Sequence, residues 1–158
     1  MITAIRAAGA AMVLAVIAPA ACAPAEDTSA ATTAKVVDVS IETASGPQAY
    51  RAEVARTPEE QARGLMFRQD MAQNAGMLFP YDPPRPAAFW MKNTYIPLDI
   101  IFIAPDGTIE SIHADTLPLT TSSYASRGAV KAVLELNGGE AARIGAKPGD
   151  RVVYQPVL

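Results

Sequence analysis

Short stretches of alternating apolar and polar residues, punctuated by Pro and Gly, set the pattern of this chain. Val37, Val39 and Ile41 alternate with Asp38, Ser40 and Glu42. Ser45-Gly46-Pro47 turns the chain, and Tyr50, Ala52 and Val54 then alternate with Arg51 and Glu53. A period of two with one wet face predicts a β-hairpin. Thr57-Pro58-Glu59-Glu60 predicts a helix start, with Thr at the N-cap, Pro at the first helical position and Glu60 closing a capping box. That helix should run to about Met66. Gly76 to Pro80 predicts a short buried strand, and Tyr81-Asp82-Pro83-Pro84-Arg85-Pro86 a stiff loop, since Pro cannot donate to a central ladder.

The most apolar part of the chain runs from Phe89 to Phe102. It holds the only Trp and two of the four Phe residues, yet Lys92 and Asp99 are set into it. Burial makes such charges costly unless they are paired or open to a cleft. Its two halves, Ala87 to Met91 and Leu98 to Ile103, read as strands joined by a Lys-Asn-Thr corner. Strict alternation places Leu98, Ile100 and Phe102 on one face and Asp99, Ile101 and Ile103 on the other. Pro105-Asp106-Gly107 turns into a strand from Thr108 to Ala114. Asp115 to Gly128 is a long polar connection of the kind that carries function. Ala129 to Leu136 is another strand, Asn137 and Glu140 cap a short helix ended by Gly145, and Arg151 to Tyr154 is the last strand. About eight short strands and two short helices predict a mainly β fold, a compact antiparallel β-sandwich or barrel-like domain, with neighbouring strands paired locally.

Upstream, residues 1–22 have Arg6, an uncharged stretch from Ala7 to Ile17, and small residues ending at Cys22, the arrangement of an export signal. Ala18-Pro19-Ala20 suits ordinary cleavage. Pro19-Ala20-Ala21-Cys22 suits a lipobox, with Cys22 as the lipidation site, and both routes stay open. Residues 23–34 lack any large apolar residue and form a disordered linker, which leaves residues 35–158 as one domain. The expected location is periplasmic, or lipid-anchored to the envelope, with the membrane reached only through that anchor. Cys22 is the sole cysteine, so the domain has no disulfide.

From Lys35 onward the chain carries 12 Lys+Arg against 14 Asp+Glu, with no run of like charge, which argues against a nucleic-acid partner. One histidine, His113, leaves no Cys/His catalysis and no His-rich zinc site, and no Gly-rich loop precedes a helix to hold a phosphate. No cofactor is called for, and the domain is expected to be monomeric.

The candidate binding residues are Arg63, Arg68, Trp90, Lys92, Asn93, Thr94 and Asp99. Arg63 and Arg68 either complement the end of the first helix or bracket an anionic ligand. Lys92, Asn93 and Thr94 either hold their own turn or rim a cleft. Trp90 is a core residue or a stacking platform turned outward beside Lys92. Asp99 is a structural carboxylate fed by backbone N–H groups, or a ligand contact with a raised pKa. Asp99 and Glu135 are the weak catalytic candidates, a carboxylate pair of the type glycosidases use. Met66, Met71, Met77 and Met91 either fill gaps in the core or offer thioethers to copper(I).

Arg63-Gly64-Leu65-Met66-Phe67-Arg68, Gly76-Met77-Leu78-Phe79, Phe89-Trp90-Met91-Lys92-Asn93-Thr94, Ile96-Pro97-Leu98-Asp99, Val133-Leu134-Glu135-Leu136 and Gly149-Asp150 resemble, in order and spacing, the DUF192 (UPF0127) family. The resemblance implies a compact β-sandwich or barrel-like domain, commonly behind a bacterial export signal, and no assigned activity. Asn137-Gly138-Gly139 departs from the family pattern, where Pro or Ala more often precedes the Gly, and should alter a cap without altering the fold. The expected function is a non-catalytic exported module that binds a small molecule, glycan or protein through a cleft near Lys92, Asn93 and Asp99. The alternatives are a small hydrolase-like enzyme using Asp99 with Glu135 or Lys92, and copper(I) binding through the Met residues.

Overall fold

A computed structural model describes residues 35–156, so the export signal, Cys22 and the linker lie outside the described residues. The hairpin forms as the alternation requires. β1 (Val36–Thr43) and β2 (Gly46–Val54) pair antiparallel, with Val37, Val39, Ile41, Tyr50, Ala52 and Val54 buried. Next, α1 (Pro58–Arg63) carries the full capping box between Thr57 and Glu60. It ends at Gly64, before Met66, because the chain turns there through a positive φ of 46°.

β3 (Ala75–Arg85) is longer than the sequence suggests. The prolines predicted to form a stiff loop continue it as an exposed tail, with the register broken between Pro80 and Arg85. β4 (Ala88–Phe89) shrinks to two residues and pairs with β7 (Tyr124–Ala125), which emerges from the long polar connection. β5 (Leu98–Ile103), β6 (Ile109–Thr116), β8 (Val130–Asn137), α2 (Glu140–Ile144) and β9 (Arg151–Tyr154) complete the described elements.

The large sheet has the order β6-β5-β8-β3-β2-β1-β9. Pairing is therefore less local than expected: β8 inserts between β5 and β3, and β2 runs parallel to β3. The two edges touch at one end, where Thr108 bridges Arg151 and Val152 N–H donates to Gly107, without closing into a barrel. The sheet has a core on each face, and β5 feeds both. Ile101 and Ile103 join the cluster with Val39, Ile41, Leu134 and Val152, whereas Leu98, Ile100 and Phe102 join Leu65, Phe79, Met91 and Val133. Every residue of β5 is buried, as its unbroken apolar content demands of a central strand.

Gly76 shows how tightly β3 and β8 approach. A Cβ added there would sit 2.6 Å from the Glu135 carbonyl oxygen and 2.8 Å from Leu136 Cδ2. Backbone on the neighbouring strand cannot yield as a flexible side chain would, so Gly76→Ala should cost about 2–3 kcal/mol in urea unfolding. A loss below about 0.5 kcal/mol would show that the strands separate freely there.

Candidate functional site

Asp99 and Glu135 are the two acids buried in the central strands, and the sheet separates them. Asp99 pairs with Leu136, and Ile100 pairs with Glu135. Directly opposed residues share a face and successive residues alternate, so the two carboxylates project to opposite sides. The expected Asp99/Glu135 pair is corrected on that ground: no reacting group can lie between them.

Asp99 is fully buried and saturated. Its Oδ1 accepts from Asp115 N (2.7 Å) and Gly139 N (3.0 Å), and its Oδ2 from Ala141 N (2.6 Å). Gly139, in the left-handed region, is the N-cap of α2 and offers no side chain, so Asp99 supplies the cap from a neighbouring strand. The predicted cap residue Asn137 instead donates to the Met71 and Ala72 carbonyls. Asp99 therefore holds α2 and the end of β6 and presents no oxygen to a ligand, which corrects its place among the binding residues.

Glu135 has the opposite environment. It projects toward the side of Met77 and Ile100, among apolar residues, and is only 4% exposed. Among the described residues no group donates a hydrogen bond to its carboxyl or forms an ion pair with it. Burial alone pushes its pKa up to about 8. Above it lies a cavity of about 300 Å³. The end of α1 and the following turn (Gln61 to Met66) form one wall. Phe79, Tyr81 and Arg85 from β3 and Ala87 to Trp90 form the others, with Thr94 beside them.

The wall residues are held in place by packing. Phe89 sits edge-to-face between Phe79 (4.9 Å between centroids) and Phe102 (6.1 Å). The close approach of Gly64 to the Phe79 ring, where a Cβ would be 3.4 Å away, sets the α1 end against β3. The Lys-Asn-Thr corner fastens the same wall: Asn93, at φ 58°, accepts from Phe67 N through its carbonyl (2.8 Å), and its side-chain amide contacts Met66 Sδ. Arg85 lies over the Tyr81 ring at 4.2 Å. Past these two residues the cavity meets a wider groove of about 1070 Å³, along which Lys131 and Arg151 lie.

The sequence-predicted residues divide clearly. Arg63, Trp90, Thr94 and Glu135 come together around this cavity. Trp90 is turned outward, 50% exposed, with Lys92 Nζ 5.2 Å from its ring centre. Arg68 is not among them: it pairs with Glu53 across from β2, so Arg63 and Arg68 do not bracket one ligand. Met77 and Met91 are core residues, and Met91 Sδ accepts from Thr116 Oγ1. Among the described residues no cluster of three or more His, Cys, Asp or Glu could hold a metal ion.

Tyr81, Arg85, Phe89 and Gln61 are site residues that sequence reasoning missed. Phe89 and Arg85 lay in segments read as core strand and stiff loop. None of the four carries a local signal of its own; the acid in Leu134-Glu135-Leu136, flanked by apolar residues like Asp99, marks the place where they gather.

Beside the mouth, Phe67, Tyr95, Leu117 and Leu119 are exposed, and Phe67 meets Tyr95 edge-to-face. Phe67, Asn93 and Leu119 all have positive φ, and Leu119 N–H donates to the Thr94 carbonyl, so three loops lock together around this rim. Non-Gly residues in that region are uncommon and concentrate where the surroundings over-determine the backbone.

Fold and site together define a class: a mixed-sheet β domain with an aromatic-walled cavity over an unpaired carboxyl. Residues 39–154 match DUF192, a family described as an uncharacterized ACR, and the chain belongs to that family. It is similar to the crystal structure of a protein of unknown function from Novosphingobium aromaticivorans DSM 12444. The two are 46% identical over 78% of this chain and 88% of that one, with a TM-score of 0.76. It is also similar to a candidate transcription regulator from Sinorhizobium meliloti 1021, 44% identical over 77% of this chain and 95% of that one, with a TM-score of 0.74. No curated protein matches it.

Proposed function

We propose that this domain is a non-catalytic binding module whose ligand occupies the cavity over Glu135. The observation that carries this reading is the carboxyl of Glu135, a residue only 4% exposed, which lines an aromatic-walled space with no partner among the described residues. A buried polar group normally finds a partner in its own chain, and one without is either a liability or a docking point. The volume, about 300 Å³, is at the small end of ligand sites and suits a small molecule or one sugar ring. Half-exposed Trp90 at the mouth supplies a stacking surface.

The expected cleft thus moves from Asp99 to Glu135, while Trp90 and Thr94 stay in it. Catalysis would need a second proton-handling group near Glu135. Tyr81, which also lines the cavity, is itself held protonated, chiefly by burial. The balanced charge of the domain favours a small molecule over nucleic acid, although the Sinorhizobium relative is named as a candidate transcription regulator. Residues 1–34 support an exported, envelope location for the same module.

The test is a fragment screen by protein-observed NMR with Ala88→Trp as a plugged control, since Ala88 is exposed and lines the cavity. Hits with Kd of roughly 10 µM to 1 mM are expected to perturb residues 61–66, 87–90 and 135 and to vanish in the plugged variant. If no fragment is displaced by the plug, the cavity is not a binding site.

A further inference from the structure

The charges around the cavity are separated, and that separation selects a ligand. One acid, Glu135, lies at the bottom of the cavity, and two guanidinium groups, Arg63 and Arg85, lie on exposed residues of its wall. Neither forms an ion pair with Glu135, whereas Arg68 pairs with Glu53 and Arg143 with Glu140. The Arg85 side continues into the groove where Lys131 and Arg151 converge over Gly107. A Cβ at Gly107 would be 3.0 Å from Lys131 Nζ and 3.8 Å from an Arg151 guanidinium nitrogen. The cavity therefore offers a buried carboxyl, neutral until it gives up its proton, on one side and cations on exposed residues on the other. Leu65, Phe79 and Phe89 line the same cavity and give it apolar wall.

Building on the binding role given above, we infer that the cavity takes a small zwitterion with an apolar body, of the α-amino-acid class. Its ammonium would meet Glu135, and its carboxylate would meet Arg85. A simple amine would leave the exposed cations unanswered, and a simple acid would leave Glu135 buried and unpaired. A molecule that carries both groups engages both sides at once, and charge-assisted hydrogen bonds are the strong kind in a site shielded from water. Ammonium binding requires the ionised carboxylate. The raised pKa of Glu135 means the empty site is mostly protonated at pH 7, so occupancy expels that proton.

Titration calorimetry on the full chain at pH 7, with leucine, leucinamide and N-acetylleucine in both enantiomers, tests this. The free amino acid is expected to bind roughly tenfold or more tightly than either blocked form. Repeating the titration in buffers of different ionisation enthalpy should show about one proton released. Glu135→Gln should abolish the penalty for N-acetylation and the proton release, and Arg85→Gln should abolish the penalty for amidation. Arg85 is exposed, so that variant stays informative even if Glu135→Gln fails to fold. Equal binding of all three forms, or binding without proton release, overturns the inference. Fragments that fill the cavity while no zwitterion binds would overturn it too and leave the binding role intact, whereas an empty result in both experiments removes both.

Discussion

Asp99→Ala is expected to lower the unfolding free energy by roughly 4 kcal/mol, a large share of what a domain of this size has to lose. The carboxylate of Asp99 receives three backbone N–H groups from two separate segments, Asp115 at the end of β6 and Gly139 and Ala141 at the start of α2. Truncation leaves all three without an acceptor where little water can replace it, and each stranded donor costs about 1–3 kcal/mol. It also uncaps α2, whose own N-cap residue is a glycine. Asp99→Asn should fall between, at about 2–3 kcal/mol. Its carbonyl can take the place of Oδ1 and keep Asp115 and Gly139, but its NH2 then faces the Ala141 N–H, donor against donor. Urea unfolding of both variants beside the parent chain gives the comparison. An Ala variant within about 1 kcal/mol of the parent would mean these hydrogen bonds are replaced by solvent.

The consequences spread beyond the three donors because α2 is also fastened at its other end. Tyr50 Oη donates to Glu140 Oε1 (2.8 Å), and Arg143 pairs with the same carboxylate, which holds Glu140 ionised below its ordinary range. Freed at its N-terminus, a five-residue helix has too few internal hydrogen bonds to persist alone. Crosslinking or exchange experiments on Asp99→Ala would therefore find residues 139–145 loosened first.

What could be read from residues alone follows the range of the forces involved. The β1–β2 hairpin, the α1 capping box and the two-faced alternation of β5 were legible because each depends on residues within a few positions of one another. The insertion of β8 between β3 and β5 was not, because it pairs residues from 29 (Ile103 with Ala132) to 60 (Gly76 with Leu136) positions apart and any apolar strand could have filled that place. That one pairing decides the site. It puts Glu135 opposite Ile100 and Met77, and so on the face away from Asp99. The cap of α2 was misassigned for the same reason: Asn137 is a good local candidate, but Asp99, 40 positions from Gly139, supplies the acceptor. Arg63, Trp90 and Thr94 were recoverable because they border the most unusual segments of the sequence. Arg85 and Tyr81 lay hidden in a proline-rich stretch that gives no periodic signal.

The two buried acids of this sheet thus show two outcomes of the same substitution into an apolar strand. Asp99 met three donors and is held by them. Glu135 met none, and the chain tolerates it by keeping it protonated beside a cavity. Retaining such a group costs stability, and that cost can be measured.

The measurable form is a fall in stability as pH rises from 5 to 9 that Glu135→Gln removes. In the unfolded chain Glu135 titrates near 4.3, and in the folded chain near 8. Between those values the native state binds the extra proton, so the unfolding free energy decreases with pH and levels off above 8. A shift of that size corresponds to as much as roughly 5 kcal/mol, reduced by whatever water or ion enters the cavity when the carboxyl ionises. The window isolates this group. Glu60, Asp106 and Glu140 have lowered pKa values, so their contribution is lost only as pH falls below the ordinary carboxylate range. Tyr50, Tyr81 and Tyr154 have raised values and act only above pH 10. Gln keeps the shape of the protonated acid and has no charge to develop, so urea midpoints for parent and variant should nearly coincide at pH 5 and separate steadily toward pH 9, with the variant the more stable. Parallel curves would show that Glu135 ionises without cost and has an internal or solvent partner after all. In that event the physical basis for placing a ligand above it would go too, because a carboxyl already satisfied has no need of one.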